Sequence, residues 1–304
     1  GISVRDEGRH LLAVHEESDA PSQGEGLPHS RIGETSRMSR ERGAEERVEE
    51  RVRRYEEERL MKIKRSEDSE VIEEVFDRFT REALYELMRR RIIDEIYGVV
   101  KTGKEGRIYW GIDPQKRELA IKIYYIVSAE FRQGMLKYIK NDYRFKRVKT
   151  TPRSIIYAWA QKEFKNLKAA HEVGVRVPEP FEVKQNILIM EFIGEEGEPA
   201  PLLHDVHLDK PKAVYKRLLE DVKSLYTKAG IVHGDLSEYN VMFWREEPVL
   251  IDISQAVPTN HPLAEELLLR DLSNLNRYFS SLGVMVADIN KVYKGIAGGD
   301  KGLR

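Results

Sequence analysis

The sequence predicts an α+β protein in two lobes. Two observations carry that expectation: strand-like apolar alternation is concentrated between Gly98 and Phe192, and helical periodicity dominates beyond Pro199-Ala200-Pro201. A third concerns size, because 304 residues leave ample length for a buried core. Charge narrows the function classes. The 51 Lys and Arg nearly cancel the 52 Asp and Glu, so no global field recruits nucleic acid or an anionic membrane. With no cysteine there is no disulfide, thiolate metal site or cysteine nucleophile, and a reducing, cytoplasmic compartment is the expectation. No apolar run approaches the roughly 18 to 20 residues that span a bilayer, so no membrane partner is expected.

Taken in order, residues 1–37 are rich in Gly, Ser, His and acidic side chains without apolar period, and no methionine precedes Met38. They are expected to be a disordered or non-native extension. Residues 38–65 alternate Glu and Arg at helical spacing around Val48, Val52 and Tyr55, which predicts a charged, solvated helical segment. The folded domain is expected over 66–292, with an N-lobe to about 193, a C-lobe from about 194 and a flexible tail over 293–304. An amphipathic helix begins near Val71, its broad face formed by Ile72, Val75, Phe76, Phe79, Ala83, Leu84 and Leu87. Strands are predicted over Gly98 to Trp110 and Glu118 to Ile126 around an Asp113-Pro114 turn. A helix from Pro152 to Glu172 follows, then strands Phe181 to Val183 and Ile187 to Phe192. Helices over Ala213 to Lys228 and Leu263 to Ser280 bracket short strands at Val241 to Trp244 and Val249 to Ile253.

The densest chemical signal is Ile231-Val-His233-Gly-Asp235-Leu-Ser-Glu-Tyr-Asn240, with Asp252 twelve residues beyond Asn240 in Leu250-Ile-Asp252-Ile. Phosphoryl transfer needs a carboxylate to orient the nucleophile and take its proton, and an amide and a second carboxylate to hold magnesium. Asp235, Asn240 and Asp252 match those types at kinase spacing. Lys122 lies on a strand where Leu119, Ile121 and Ile123 point one way and Ala120, Lys122 and Tyr124 the other. Glu163 interrupts a helical stripe of Ile156, Ala160 and Leu167, which makes it the natural partner of that lysine. The loop Lys101-Thr102-Gly103-Lys104-Glu105-Gly106 keeps two of three kinase-loop glycines. Backbone N–H groups near Thr102 to Glu105, helped by Lys104, suit phosphate. It is not a P-loop, since Glu105 stands where a Ser or Thr would hold magnesium and a strand follows. The strand end Met190-Glu191-Phe192-Ile193 suits a hinge whose backbone meets adenine.

These residues resemble the RIO family of atypical serine/threonine protein kinases, from about Ser66 to Val292. The carriers are Thr102-Gly-Lys-Glu-Gly, Ala120-Ile-Lys-Ile-Tyr, Lys162-Glu-Phe-Lys-Asn-Leu, Met190-Glu-Phe-Ile-Gly, the His233 to Asn240 loop and Leu250-Ile-Asp-Ile-Ser-Gln-Ala-Val with His261-Pro. Ser254-Gln255-Ala256 resembles the first, Rio-one subfamily, and an archaeal member is expected. The resemblance implies a trimmed protein-kinase fold, ATP with magnesium or manganese, and a pre-ribosomal small-subunit partner. It implies Lys122, Glu163, Asp235 and Asp252 as catalytic residues, Asn240 and Asp252 as metal ligands, and Asp252 as candidate phosphoacceptor. It also implies Thr102, Lys104, Glu105, Lys122, Met190, Glu191 and Ile193 as nucleotide contacts, a protein Ser/Thr or the chain itself as substrate, and a flexible loop over 128–150. Ser237 replaces the lysine of ordinary kinases, which puts efficient transfer to peptides in question. Two other readings stay open on the residues alone, a small-molecule phosphotransferase of the aminoglycoside or choline kinase type and a non-catalytic ATP-binding module.

Overall fold

The structure, a computed structural model, describes residues 77–125 and 128–298. The extension over 1–37, the charged segment over 38–65 and the start of the first amphipathic helix lie outside them. Helix α1 (Arg78–Arg89) begins where the Asp77 carboxylate accepts the Thr80 N–H at 2.8 Å, and it buries Thr80, Ala83, Leu84 and Leu87. Phe79, expected on that face, is 39% exposed, with the Arg153 guanidinium 3.6 Å from its ring centre.

Five antiparallel strands follow in the spatial order β1-β2-β3-β5-β4: β1 (Glu95–Thr102), β2 (Gly106–Ile112), β3 (Glu118–Tyr124), β4 (Pro180–Lys184) and β5 (Ile187–Glu191). The single strand expected from Gly98 to Trp110 is in fact two, because Gly103 N–H donates to Gly106 O at 2.9 Å and reverses the chain. A side chain at Gly106 would place its Cβ 2.2 Å from Ile123 O, so the turn can lie close on β3 only with glycine there. The second turn forms around Asp113, whose carboxylate accepts the N–H groups of Gln115 and Arg117. Alternation along β3 then sorts its side chains. Leu119, Ile121 and Ile123 join Ala83, Leu84 and Leu87 of α1 in one core, while Ala120 and Tyr124 join the other.

The segment over 128–150, expected as a flexible loop, has regular structure within it. It holds helix α2 (Ala129–Ile139), which buries Met135, Tyr138 and Ile139, and a 3-10 turn at Tyr143–Phe145 capped by Asp142. Helix α3 (Pro152–Glu172) starts on a Thr151 cap with Pro152 in its first turn, where a missing N–H costs nothing. It buries Ile156, Ala160, Glu163 and Leu167 along one face.

The second lobe is built on helices α4 (Pro211–Thr227), α5 (Ala264–Ser281) and α6 (Ile289–Ala297). Leu218, Leu225, Leu268, Leu272, Leu275 and Phe279 are buried between them. Residues 293–297, expected in the flexible tail, are the last turns of α6, and Ile296 is buried. Short paired strands complete this lobe: β8 (Ile231–Val232) with β11 (Val257–Pro258), and β9 (Val241–Trp244) with β10 (Glu247–Leu250). The strand expected to run to Ile253 ends at Leu250, because Asp252 adopts a left-handed conformation (φ 56°, ψ 55°) and leads into a 3-10 turn at Ile253–Gln255. A small hairpin, β6 (Gly194–Glu195) and β7 (Glu198–Pro199), joins the lobes. Glu118 Oε1 accepts both the Gly197 N–H and the Trp110 indole N–H at 2.9 Å, and a Cβ on Gly197 (φ +82°) would meet the Trp110 ring. On its other side Ile193, Ala200 and Val249 form a buried cluster.

Candidate active site

A cleft of about 810 Å³ opens between the β1–β2 turn, β3, the end of β5 and the loops carrying Asp235 and Asp252. Of the residues singled out from sequence, Lys104, Glu105, Lys122, Glu163, Met190, Glu191, Ile193, Asp235 and Asp252 line it together. Thr102 does not: it ends β1, pairs with Arg107 and is exposed. Asn240 stands behind the lining, its amide donating to the Asp235 backbone carbonyl at 2.7 Å and to Asp235 Oδ2 at 3.3 Å.

The centre of the cleft is Lys122. Its register on β3, opposite Ile108 and Leu188, aims the ammonium at α3, where both Glu163 oxygens accept it at 2.9 and 3.0 Å. Asp252 Oδ1 accepts it at 3.1 Å. Burial opposes the ammonium, but the carboxylates of Asp252, Glu163 and Glu105 outweigh it and hold Lys122 protonated, its pKa raised. The same ammonium holds the Asp252 carboxyl below the usual range. Burial pushes the Glu163 carboxyl up to about 7 against the pull of Lys122. Glu105, expected to serve through its backbone, turns its side chain inward and accepts the Trp159 indole N–H at 3.0 Å; burial and the nearby Asp252 charge raise its pKa.

Asp235 is held by a loop that the sequence did not account for in full. Asp271, on the apolar face of α5, accepts the N–H groups of Gly234 and Leu236, each at 2.8 Å, while Arg270 donates to Gly234 O and Asn274 to Leu236 O. Burial pushes the Asp271 carboxyl up to about 7 against those two donors. Gln255 donates to Asp235 Oδ2 at 3.1 Å. Burial raises the Asp235 pKa, with Arg270 opposing and Asp252 reinforcing. The turn carrying Asp252 and Gln255 is clamped from α3: Asn166 donates to Ile253 O at 2.9 Å and to Ala256 O at 3.2 Å, and the buried Lys162 ammonium donates to Ala256 O. His261 accepts the Leu263 N–H on Nδ1, which leaves Nε2 to donate to Lys140 O at 2.9 Å.

Phe131 of α2 also lines the cleft, a contact hidden by reading that segment as loop. Asp271 carried a readable signal, a lone carboxylate among Leu267, Leu268, Leu272 and Leu275 at helical spacing. Among the described residues no three His, Cys, Asp or Glu side chains gather as a self-sufficient metal site. Magnesium takes one or two protein oxygen ligands and completes its shell with phosphates and water, and a carboxylate such as Asp252 and an amide oxygen such as that of Asn240 are ligands of the right type.

The family model of the RIO domain matches residues 107–292. The chain belongs to the RIO kinase family. It is 37% identical over 238 residues to the RIO-type serine/threonine-protein kinase Rio1 of Haloferax volcanii, covering 78% of this chain and 81% of that protein. It is 41% identical over 229 residues to the protein of that name from Methanocaldococcus jannaschii, covering 75% and 78%. These relatives agree with the Rio-one resemblance and make the chain a protein kinase of RIO type, so the small-molecule and non-catalytic readings give way. Among solved structures, the Rio2 kinase ADP/Mg2+-phosphoaspartate complex from Chaetomium thermophilum aligns with a TM-score of 0.56 at 21% identity, covering 74% of this chain and 67% of that one. That likeness concerns the fold, a β-sheet lobe joined to a helical lobe.

Proposed function

We propose that this RIO-type kinase transfers the γ-phosphoryl group of ATP in a magnesium-dependent reaction, and that Lys122, Glu163, Asp235, Asn240 and Asp252 carry the chemistry. The observation that supports this most is the single ammonium of Lys122, held within 3.1 Å of both Glu163 and Asp252. That arrangement positions one cation where phosphate oxygens compete for it. Asp235 orients the acceptor and takes its proton; its raised pKa moves it toward the range useful to a base. Asp252 and Asn240 would hold magnesium, or manganese in its place. Bound there, the metal supplies charge neutralisation at the phosphates.

Lys104 and the backbone of Gly103 to Glu105 face the phosphate end. Met190 packs on adenine while the backbone of Glu191 and Ile193 hydrogen-bonds its edge. The Rio2 neighbour, a complex with ADP, Mg2+ and phosphoaspartate, supports a second role for Asp252 as a transient phosphoacceptor. Its carboxylate oxygen would form the new bond to the γ-phosphorus as the bond to ADP breaks. The kinase family resemblance supports a pre-ribosomal small-subunit particle as the partner and a cytoplasmic setting.

The test is a single-turnover reaction with γ-labelled ATP and magnesium. Wild type should yield a hydroxylamine-labile label that disappears in Asp252→Asn. A stable Ser or Thr label lost in Asp235→Ala supports transfer to protein. No label and no hydrolysis sinks the proposal.

A further inference from the structure

A second cavity, of about 440 Å³, lies between α2 and the Glu105–Trp159 pair. It shares Glu105, Phe131 and Gln255 with the nucleotide cleft. Gln255 marks where the two meet, because its amide is on Asp235 Oδ2. Asp235 does not itself line this cavity; Gln255, which does, joins it to the Asp235 carboxylate, and Met190 and Ile193 line the nucleotide cleft alone. Met135, Tyr138 and Trp159 make a buried apolar floor. Glu130 and Lys137 occupy the rim, and the Lys137 charge lies close enough to Asp235 to draw its carboxyl downward.

We propose that this cavity is the acceptor subsite: it admits a Ser or Thr side chain of an extended polypeptide, with an acidic neighbour recognised by Lys137. The inference rests on Asp235 as the acceptor-orienting carboxylate. Phosphoryl transfer needs the acceptor oxygen roughly in line with the leaving oxygen, and this opening approaches Asp235 from beside the space assigned to the nucleotide. The acceptor oxygen forms its bond to the γ-phosphorus as the bond to ADP breaks. Its proton passes to Asp235, and the electron pair leaves with ADP. The volume suits one residue and parts of its neighbours, within the size range of small-ligand pockets.

Gly134 supplies the test. It lines the cavity from the middle of α2, and a Cβ added there meets nothing within 4 Å. Gly134→Phe therefore adds a bulky side chain at the cavity's edge, from a position whose helical backbone accepts any side chain except proline, and Gly134→Ala is the small control. The probes are two short Ser peptides, one with Asp beside the serine and one with Lys. Expected is that wild type prefers the Asp peptide and that Gly134→Phe lowers kcat/KM for it on the order of a hundredfold, as misplaced reactants do. The KM for ATP and the Kd for a non-hydrolysable ATP analogue stay at wild-type values, Gly134→Ala behaves as wild type, and Lys137→Glu reverses the peptide preference. Wild-type transfer in Gly134→Phe overturns the inference, and so does a wild type that labels neither peptide. Failure of the underlying reading looks different, since transfer would then survive in Asp235→Asn.

Discussion

Replacing Lys122 by Met should make the stability of the kinase domain more sensitive to pH, and the size of the effect follows from what surrounds the ammonium. Glu163 is fully buried and its carboxylate has both oxygens on Lys122. Leaving one member of a buried pair alone costs about 3–5 kcal/mol when it stays charged. Glu163 has an alternative, because it can take a proton. Its folded pKa of about 7 already lies above the ordinary 4.5 with the cation present. A carboxyl raised in this way favours the folded state most below its unfolded pKa, and that advantage is lost as pH rises through the folded value.

Without Lys122 the folded pKa rises further, so the loss continues to a higher pH. At 1.4 kcal/mol per unit, the extra cost of Lys122→Met over wild type should grow by about 1–2 kcal/mol between pH 5.5 and pH 8. Urea unfolding followed by circular dichroism at the two pH values measures it, with wild type run in parallel to cancel other titrating groups. The double variant Lys122→Met/Glu163→Leu removes both charges and should recover most of the loss, since an apolar replacement of a buried pair is often near neutral. An equal cost for Lys122→Met at both pH values would refute the reasoning. A double variant as unstable as the sum of the singles would also count against it.

Three further outcomes are expected. Asp235→Asn should lower the transfer rate by about 10²–10⁴-fold with the Kd for an ATP analogue unchanged, read by labelled transfer and fluorescence titration. Asn166→Leu removes one donor each from Ile253 O and Ala256 O, which keep the Ala256 N–H and the Lys162 ammonium; the loss of two buried hydrogen bonds should cost about 1–3 kcal/mol, measured as a shift in the urea midpoint at constant slope. Gly197→Ala forces a side chain into left-handed backbone against the Trp110 ring, which should cost at least about 1–2 kcal/mol and dim or shift tryptophan fluorescence.

The sequence disclosed the site where a side chain broke a local pattern. Lys122 was visible on the inner face of an alternating strand, and Glu163 as a carboxylate in an apolar helical stripe; the contact between them, 41 residues apart, followed from charge alone. Asp271 broke the α5 stripe in the same way, but its partners are backbone N–H groups, which no sequence pattern announces. The loop at Gly103 to Glu105 was singled out by its glycines but not as the reversal between two strands, because it occupies only three residues between strands of similar character. The left-handed backbone of Asp252 was equally hidden, since the carbonyls that follow it, of Ile253 and Ala256, are held by Lys162 and Asn166 on a distant helix. Segment 128–150 was expected as loop from the family resemblance; its helix buries Met135, Tyr138 and Ile139, which find burial only against the rest of the fold.

The β6–β7 hairpin is fastened at both ends of its width, to Trp110 and Glu118 in the sheet and to Val249 in the helical lobe. A bracket of this kind fixes the spacing of the two walls before any nucleotide arrives. Binding energy is then not consumed in drawing the lobes together, and more of it remains for gripping the phosphates.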